Sequence, residues 1–191
     1  IAVMVVFSFN SSSSVWVLEG FSTRWYEDLG NDTTMLNALK HTVIIAVLSA
    51  IISTFLGTAA AVGINAIRHK FSKKIIMSVT QIPMMNADIV TGISLMLLFI
   101  FFGKLIGLNE SLGFCTVLIA HITFNLPYVI LSVMPRLQQT DSHLAEAALD
   151  LGCHPLMAFF KVILPSISTG IITGFIMAFT LSLDDFVISY F

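Results

Sequence analysis

Long apolar runs alternate with short polar connections along this chain, and four of the runs, 42–64, 75–102, 112–134 and 166 to about 190, are long enough to cross a bilayer as helices. A span of roughly 20 apolar residues satisfies every backbone N–H and C=O within itself, which hydrocarbon demands. The apolar stretch 1–9 has no charged segment ahead of it and reads as the exit of a further helix, with a signal peptide as the alternative. The pattern therefore predicts an all-α, polytopic transmembrane bundle of five helices. We read 1–191 as one transmembrane domain cut at both ends, with a sixth helix expected beyond it.

The polar connections orient the bundle. Arg68, Lys70, Lys73 and Lys74 cluster in the connection 65–74, and Lys and Arg favour the cytoplasmic side. Alternation then places 10–41 outside, where Glu19, Glu27, Asp28 and Asp32 outnumber Arg24 and Lys40. It also places 104–111 outside and 135–165 inside.

Two spans carry small residues every fourth position: Ser49, Ser53, Gly57 and Ala61 in one, and Ser166, Gly170, Gly174, Ala178 and Ser182 in the other. In lipid such stripes let helix backbones approach closely. Tight packing is the simplest reading, and a moving seam along a gated path is the functional one.

Composition agrees with a membrane location. With 57% hydrophobic residues, 10% charged and a mean hydropathy of +0.94, the chain cannot solvate the surface of a soluble globule. A net charge of -2 without a basic run gives no field for a phosphate backbone, so nucleic acid is not expected as a partner. Cys115 and Cys153 fall on segments at different depths, which argues against a disulfide framework. No G-x-x-x-x-G-K-[ST], H-E-x-x-H or G-x-S-x-G occurs, so no site for cradling ATP or for hydrolysis is expected, and no catalytic residues, cofactor or metal.

The candidate chemistry lies in intramembrane carboxylates, each of which costs about 3 kcal/mol near the bilayer centre without water or a partner. Asp88 follows Gln81, Pro83 and Asn86, a polar cluster with a helix breaker that predicts a bent or interrupted helix. A cap or an interhelical hydrogen bond explains Asp88 equally well. Asp184 and Asp185 sit toward the outer end of the last span, and helical spacing puts Ser182, Asp185 and Ser189 on one face. No Lys or Arg in these spans neutralises them, whereas a cationic ligand would. His121 and Asn125, one turn apart in the third span, read as interhelical hydrogen-bond partners.

Between 136 and 165 a cytoplasmic loop carries its own helix. Leu144, Ala147, Ala148 and Leu151 recur at helical spacing behind Asp141 or Ser142 as N-cap. Gly152 suits a helix C-terminus, and Pro155 can open the next helix. Glu146 and Asp150, four apart, form an acidic face that suits a basic partner.

The run EAALDLG followed by KVILP resembles the EAA loop of ABC importer permeases: EAA, three residues, Gly, nine residues, then I-x-L-P. Glu146, Ala147, Ala148, Gly152, Leu164 and Pro165 match it, with Val162 in place of the usual Ile. GFSTRWY at 20–26 and HITFNLPYVI from His121 are similar to the same family. The resemblance implies a coupling helix that docks on a cytoplasmic ATPase dimer. It also implies a second permease subunit, a periplasmic or lipid-anchored substrate-binding protein, and a multi-pass location in a bacterial inner membrane.

NADIVTGISL at 86–95 and TLSLDDFVISYF at 180–191 more narrowly resemble spermidine/putrescine permeases of the PotC type. That resemblance implies polyamine import by alternating access. An extended polycation needs spaced carboxylates and aromatic faces, for which Asp88, Ser182, Asp184, Asp185 and Trp25 are the candidates, with Trp16, Tyr26 and Phe186 as further aromatics. Interfacial anchoring is the commoner role of the two tryptophans. The alternatives are an ABC permease for another small solute, or an ion-driven carrier or channel.

Overall fold

A computed structural model describes residues 2–12, 20–67, 69–85, 88–107, 113–140 and 143–184. The chain divides into two compact units, Ile1–Val43 and Ile44–Phe191.

In the first unit, α1 (Ala2–Ser8) and α2 (Arg24–Asn31) flank a short antiparallel bridge between Asn10 and Phe21. Aromatic rings close it: Phe9 stacks on Phe21 with centroids 5.3 Å apart, and Tyr26 lies against Phe9 at the same distance. The Tyr26 hydroxyl meets Ser8 Oγ at 2.8 Å. Asp32 then starts α3 (Thr33–Ala66), its Oδ1 accepting from the N–H groups of Thr34 and Met35 at 2.9 and 3.1 Å. Those are free donors at a helix start, and a carboxylate is their favoured cap. The span predicted at 42–64 is thus the inner part of a helix of 34 residues, and 33–41, expected as loop, is helical. At about 1.5 Å per residue it exceeds a 30 Å hydrocarbon layer by some 20 Å.

The second unit is organised around α6 (Phe114–Gln139), with the inner part of α3 and α10 (Ser168–Asp184) packed on it. Both small-residue stripes face inward. Ser49, Ser53, Gly57 and Ala61 are buried on α3, as are Gly170, Gly174, Ala178 and Ser182 on α10. Gly57 and Gly174 both abut Val129: a Cβ on Gly57 would lie 2.7 Å from Val129 Cγ1, and one on Gly174 would lie 3.3 Å from it. Val129, Ile130, Val133 and Met134 fill the seam between them. Ser166 departs from the predicted stripe: it is exposed, lies in α9 (Leu164–Ser166) and donates to Ile163 O at 2.7 Å. The chain turns by 67° between α9 and α10, with Ile167 wholly buried at the corner, so the last span begins two residues later than expected.

The other predicted spans change in detail. The run 75–102 is two helices, α4 (Lys70–Met85) and α5 (Asp88–Ile106), with axes 103° apart, which is the interruption expected at the Pro83 cluster. The third span does not end at Pro135: α6 continues through Pro127 and Pro135 to Gln139. Each proline removes a ladder bond, but Val133, Met134 and Leu137, all buried, hold the helix in place by packing.

Candidate functional site

Two regions bear on function, the loop 140–165 between α6 and α10 and the polar residues within the bundle. In the loop, α7 (His143–Asp150) carries Glu146, Ala147, Ala148 and Asp150. It ends in a Schellman motif: Cys153 N donates to Ala148 O at 3.1 Å and Gly152 N to Leu149 O at 2.9 Å. Gly152 has φ +82, a left-handed conformation that only glycine adopts without strain, which accounts for the fixed Gly of the motif. His154 Nδ1 then accepts from Leu156 N at 3.4 Å and Pro155 opens α8 (Pro155–Ala158), so helix restarts at once. A π-helical segment, Phe159–Ile163, leads into α9 and Pro165.

The apolar positions of α7 behave differently from the sequence expectation. Ala148 is buried, but Leu144, Ala147 and the post-helical Leu151 are exposed, Leu151 to 86%. Leu149, Leu156 and Met157 extend the exposed apolar surface around the turn. Asp150 and Pro165 are also exposed. The Glu146 side chain and the proposed caps Asp141 and Ser142 lie outside the described residues. A helix with its apolar positions turned outward presents a surface for another protein.

Within the bundle, Ser182 is 2% exposed and joins three helices. Asn125 Nδ2 donates to Ser182 Oγ at 2.7 Å, and Ser182 Oγ meets Ser49 Oγ at 2.9 Å. Ser49 in turn donates to Ala46 O at 3.1 Å. These bonds link α6, α10 and α3 through Ser182. Asn125 is the interhelical partner its position predicted. His121 is not: its ring Nδ1 bonds Val117 O of its own helix at 2.9 Å. The sequence reading missed Ser49, taking it as one more small residue, although a hydroxyl in a stripe otherwise able to be Gly or Ala was the available signal.

The remaining candidates are dispersed. Asp184 is exposed two residues beyond Ser182, whereas Asp185, Ser189, Phe186 and Trp16 lie outside the described residues. Asp88 begins α5, but its side chain is likewise outside them. Trp25 belongs to the first unit, where its Nε1 donates to Asn10 O at 2.7 Å while the ring stays 40% exposed. A groove of about 490 Å³ between α3, the π segment and α10 is lined by Ile51, Phe55, Phe159, Phe160 and Phe175 among others, with no carboxylate to attract a polycation. Among the described residues no cluster of metal-binding side chains occurs.

These features define a class. Residues 53–191 match the family described as the binding-protein-dependent transport system inner membrane component, and the chain belongs to it. It is a multi-pass inner-membrane permease subunit of an ABC importer, working with an ATPase and a substrate-binding protein. Among its relatives is the putrescine transport system permease protein PotI of Escherichia coli K12, 42% identical over 189 residues, covering 98% of this chain and 67% of the relative. The spermidine/putrescine transport system permease protein PotC of the same strain is 39% identical over 191 residues, covering all of this chain and 70% of the relative. PotC of Haemophilus influenzae is 38% identical over the same length, with 72% of the relative covered.

Proposed function

We propose that this permease carries polyamines, putrescine or spermidine, into the cytoplasm by alternating access. Its identity of 42% and 39%, over nearly the whole chain, to permeases named for those amines carries the reading. The carboxylates agree with it, since Asp88, Asp184 and Asp185 have no intramembrane Lys or Arg to neutralise them and a polyamine brings several positive charges. Trp25 and Ser182 complete the candidate path. In this reading 1–191 is one permease domain, paired with a second permease subunit over an ATPase dimer, and the loop 136–165 transmits ATPase closure through α7 to α10.

Uptake of labelled putrescine and spermidine by the reconstituted importer tests the cargo. The double substitution Asp184→Asn, Asp185→Asn is expected to abolish amine uptake while the complex still assembles. Undiminished uptake removes the amine assignment.

A further inference from the structure

Helix α4 carries apolar and basic residues on separate edges, and the protein covers neither. Phe71, Ile75, Val79 and Ile82 recur at helical spacing and share one face, and all four are exposed, Phe71 to 69%. Lys70, Lys74 and Gln81 share a second edge, also exposed. The side toward the bundle is a third: Lys73 Nζ donates to Asn65 Oδ1 at 2.9 Å, and Met77 packs against the core around α6. No residue of α4 is buried. The exposed lysines have no counter-charge nearby in the chain, since no Asp or Glu occurs between Asp32 and Asp88. Among the described residues the one ion pair joins Arg24 to Asp28, in the first unit.

Length and angle also set α4 apart from a span. Its 16 residues rise about 24 Å, short of a 30 Å hydrocarbon layer, whereas the 19 of α5 rise about 28 Å and nearly suffice alone. With the two axes 103° apart, an α5 that stands near the membrane normal lays α4 close to the membrane plane.

We propose that α4 is an interfacial helix lying along the membrane surface, and that Lys70 and Lys74 bind the headgroups of anionic phospholipid. The face from Phe71 to Ile82 then sinks among the upper acyl chains, which takes out of water the apolar surface that the bundle leaves open. Lysine stems reach from that depth back to the headgroups. A zwitterionic headgroup brings its own cation to compete with the lysines, whereas an anionic one leaves its negative charge to them. An acidic protein would suit the lysines too, but the apolar face beside them, on a chain embedded in a bilayer, favours lipid.

The test places a fluorophore on Phe71→Cys or Ile82→Cys in the complete importer, all other cysteines replaced by serine, in nanodiscs. Quenchers are phosphatidylcholine or phosphatidylglycerol, brominated near the headgroup or near the chain end. Positions 71 and 82 lie about 16 Å apart along the helix axis. Both are expected to be quenched best, and equally, by the shallow bromines. Brominated phosphatidylglycerol should be enriched about fivefold per lysine over phosphatidylcholine, and Lys70→Gln with Lys74→Gln should bring that ratio to about one at unchanged depth. Shallow quenching at 71 with deep quenching at 82 would show α4 crossing as half of a bent span, and the interfacial placement is then wrong. Equal quenching by the two lipids in the wild-type importer, or a preference that survives loss of both lysines, overturns the headgroup assignment. If neither lipid quenches at either position, a protein covers the face and the proposal fails.

Discussion

The contact of Gly57 with Val129 shows how narrow the tolerance is at single positions in this bundle. A Cβ at Gly57 would sit 2.8 Å from Val129 Cβ, an atom that no rotamer change can move, so relief requires the helices to separate. Gly57→Ala is expected to cost about 1–3 kcal/mol, the usual range for overpacking, and to lower the melting temperature in detergent. Gly63, in the same helix with nothing within 4 Å, is the control: Gly63→Ala should be neutral or stabilising by up to about 1 kcal/mol through helix propensity. A stripe of small residues announces close approach in the sequence. Which of its members touches, and which, like Ser166, turns outward, depends on the partner helix.

At the level of elements, the loop between α6 and α10 is the most self-determined part of the chain. Its helix end, glycine turn and proline restart follow from local chemistry, and the structure reproduces each of them between Asp150 and Pro155. Gly152 has open space around it, so any penalty for a side chain there comes from the backbone alone. Gly152→Val should cost about 1–2 kcal/mol and weaken stimulation of the ATPase by loaded binding protein, and Gly152→Asn should do less harm because Asn tolerates the left-handed region. An ATPase assay on both variants checks the order. The membrane helices were less legible at their ends. Apolar length alone put a stop at Pro135, whereas burial of Met134 and Leu137 carries α6 past it.

For the whole molecule, the exposed apolar residues and Asp150 of α7 suit the docking of a second protein proposed above. Glu146→Lys is expected to reduce copurification of the ATPase at least about tenfold, since a like charge replaces an attractive one at an interface. Retention of the ATPase at wild-type levels would remove α7 from the docking surface. The candidate path is distributed differently. Ser182 is held in buried hydrogen bonds across three helices, and Asp184, two residues on and turned to the other side of α10, is exposed. A subunit that changes conformation needs both a seam that can part and charges that can reach a cargo.

The sequence by itself determined that the chain carries membrane-spanning helices and that the helix before Gly152 ends in a left-handed glycine. Those properties follow from apolar length and backbone sterics, both of them local. The family motif is legible for the same reason, because its Glu, Gly and Pro act within one loop. Only the tertiary structure decided that Ser49, Asn125 and Ser182 meet and that His121 bonds its own helix. Hydrogen bonding across helices joins residues up to 133 positions apart, and no periodicity along the chain encodes which hydroxyl will face which amide.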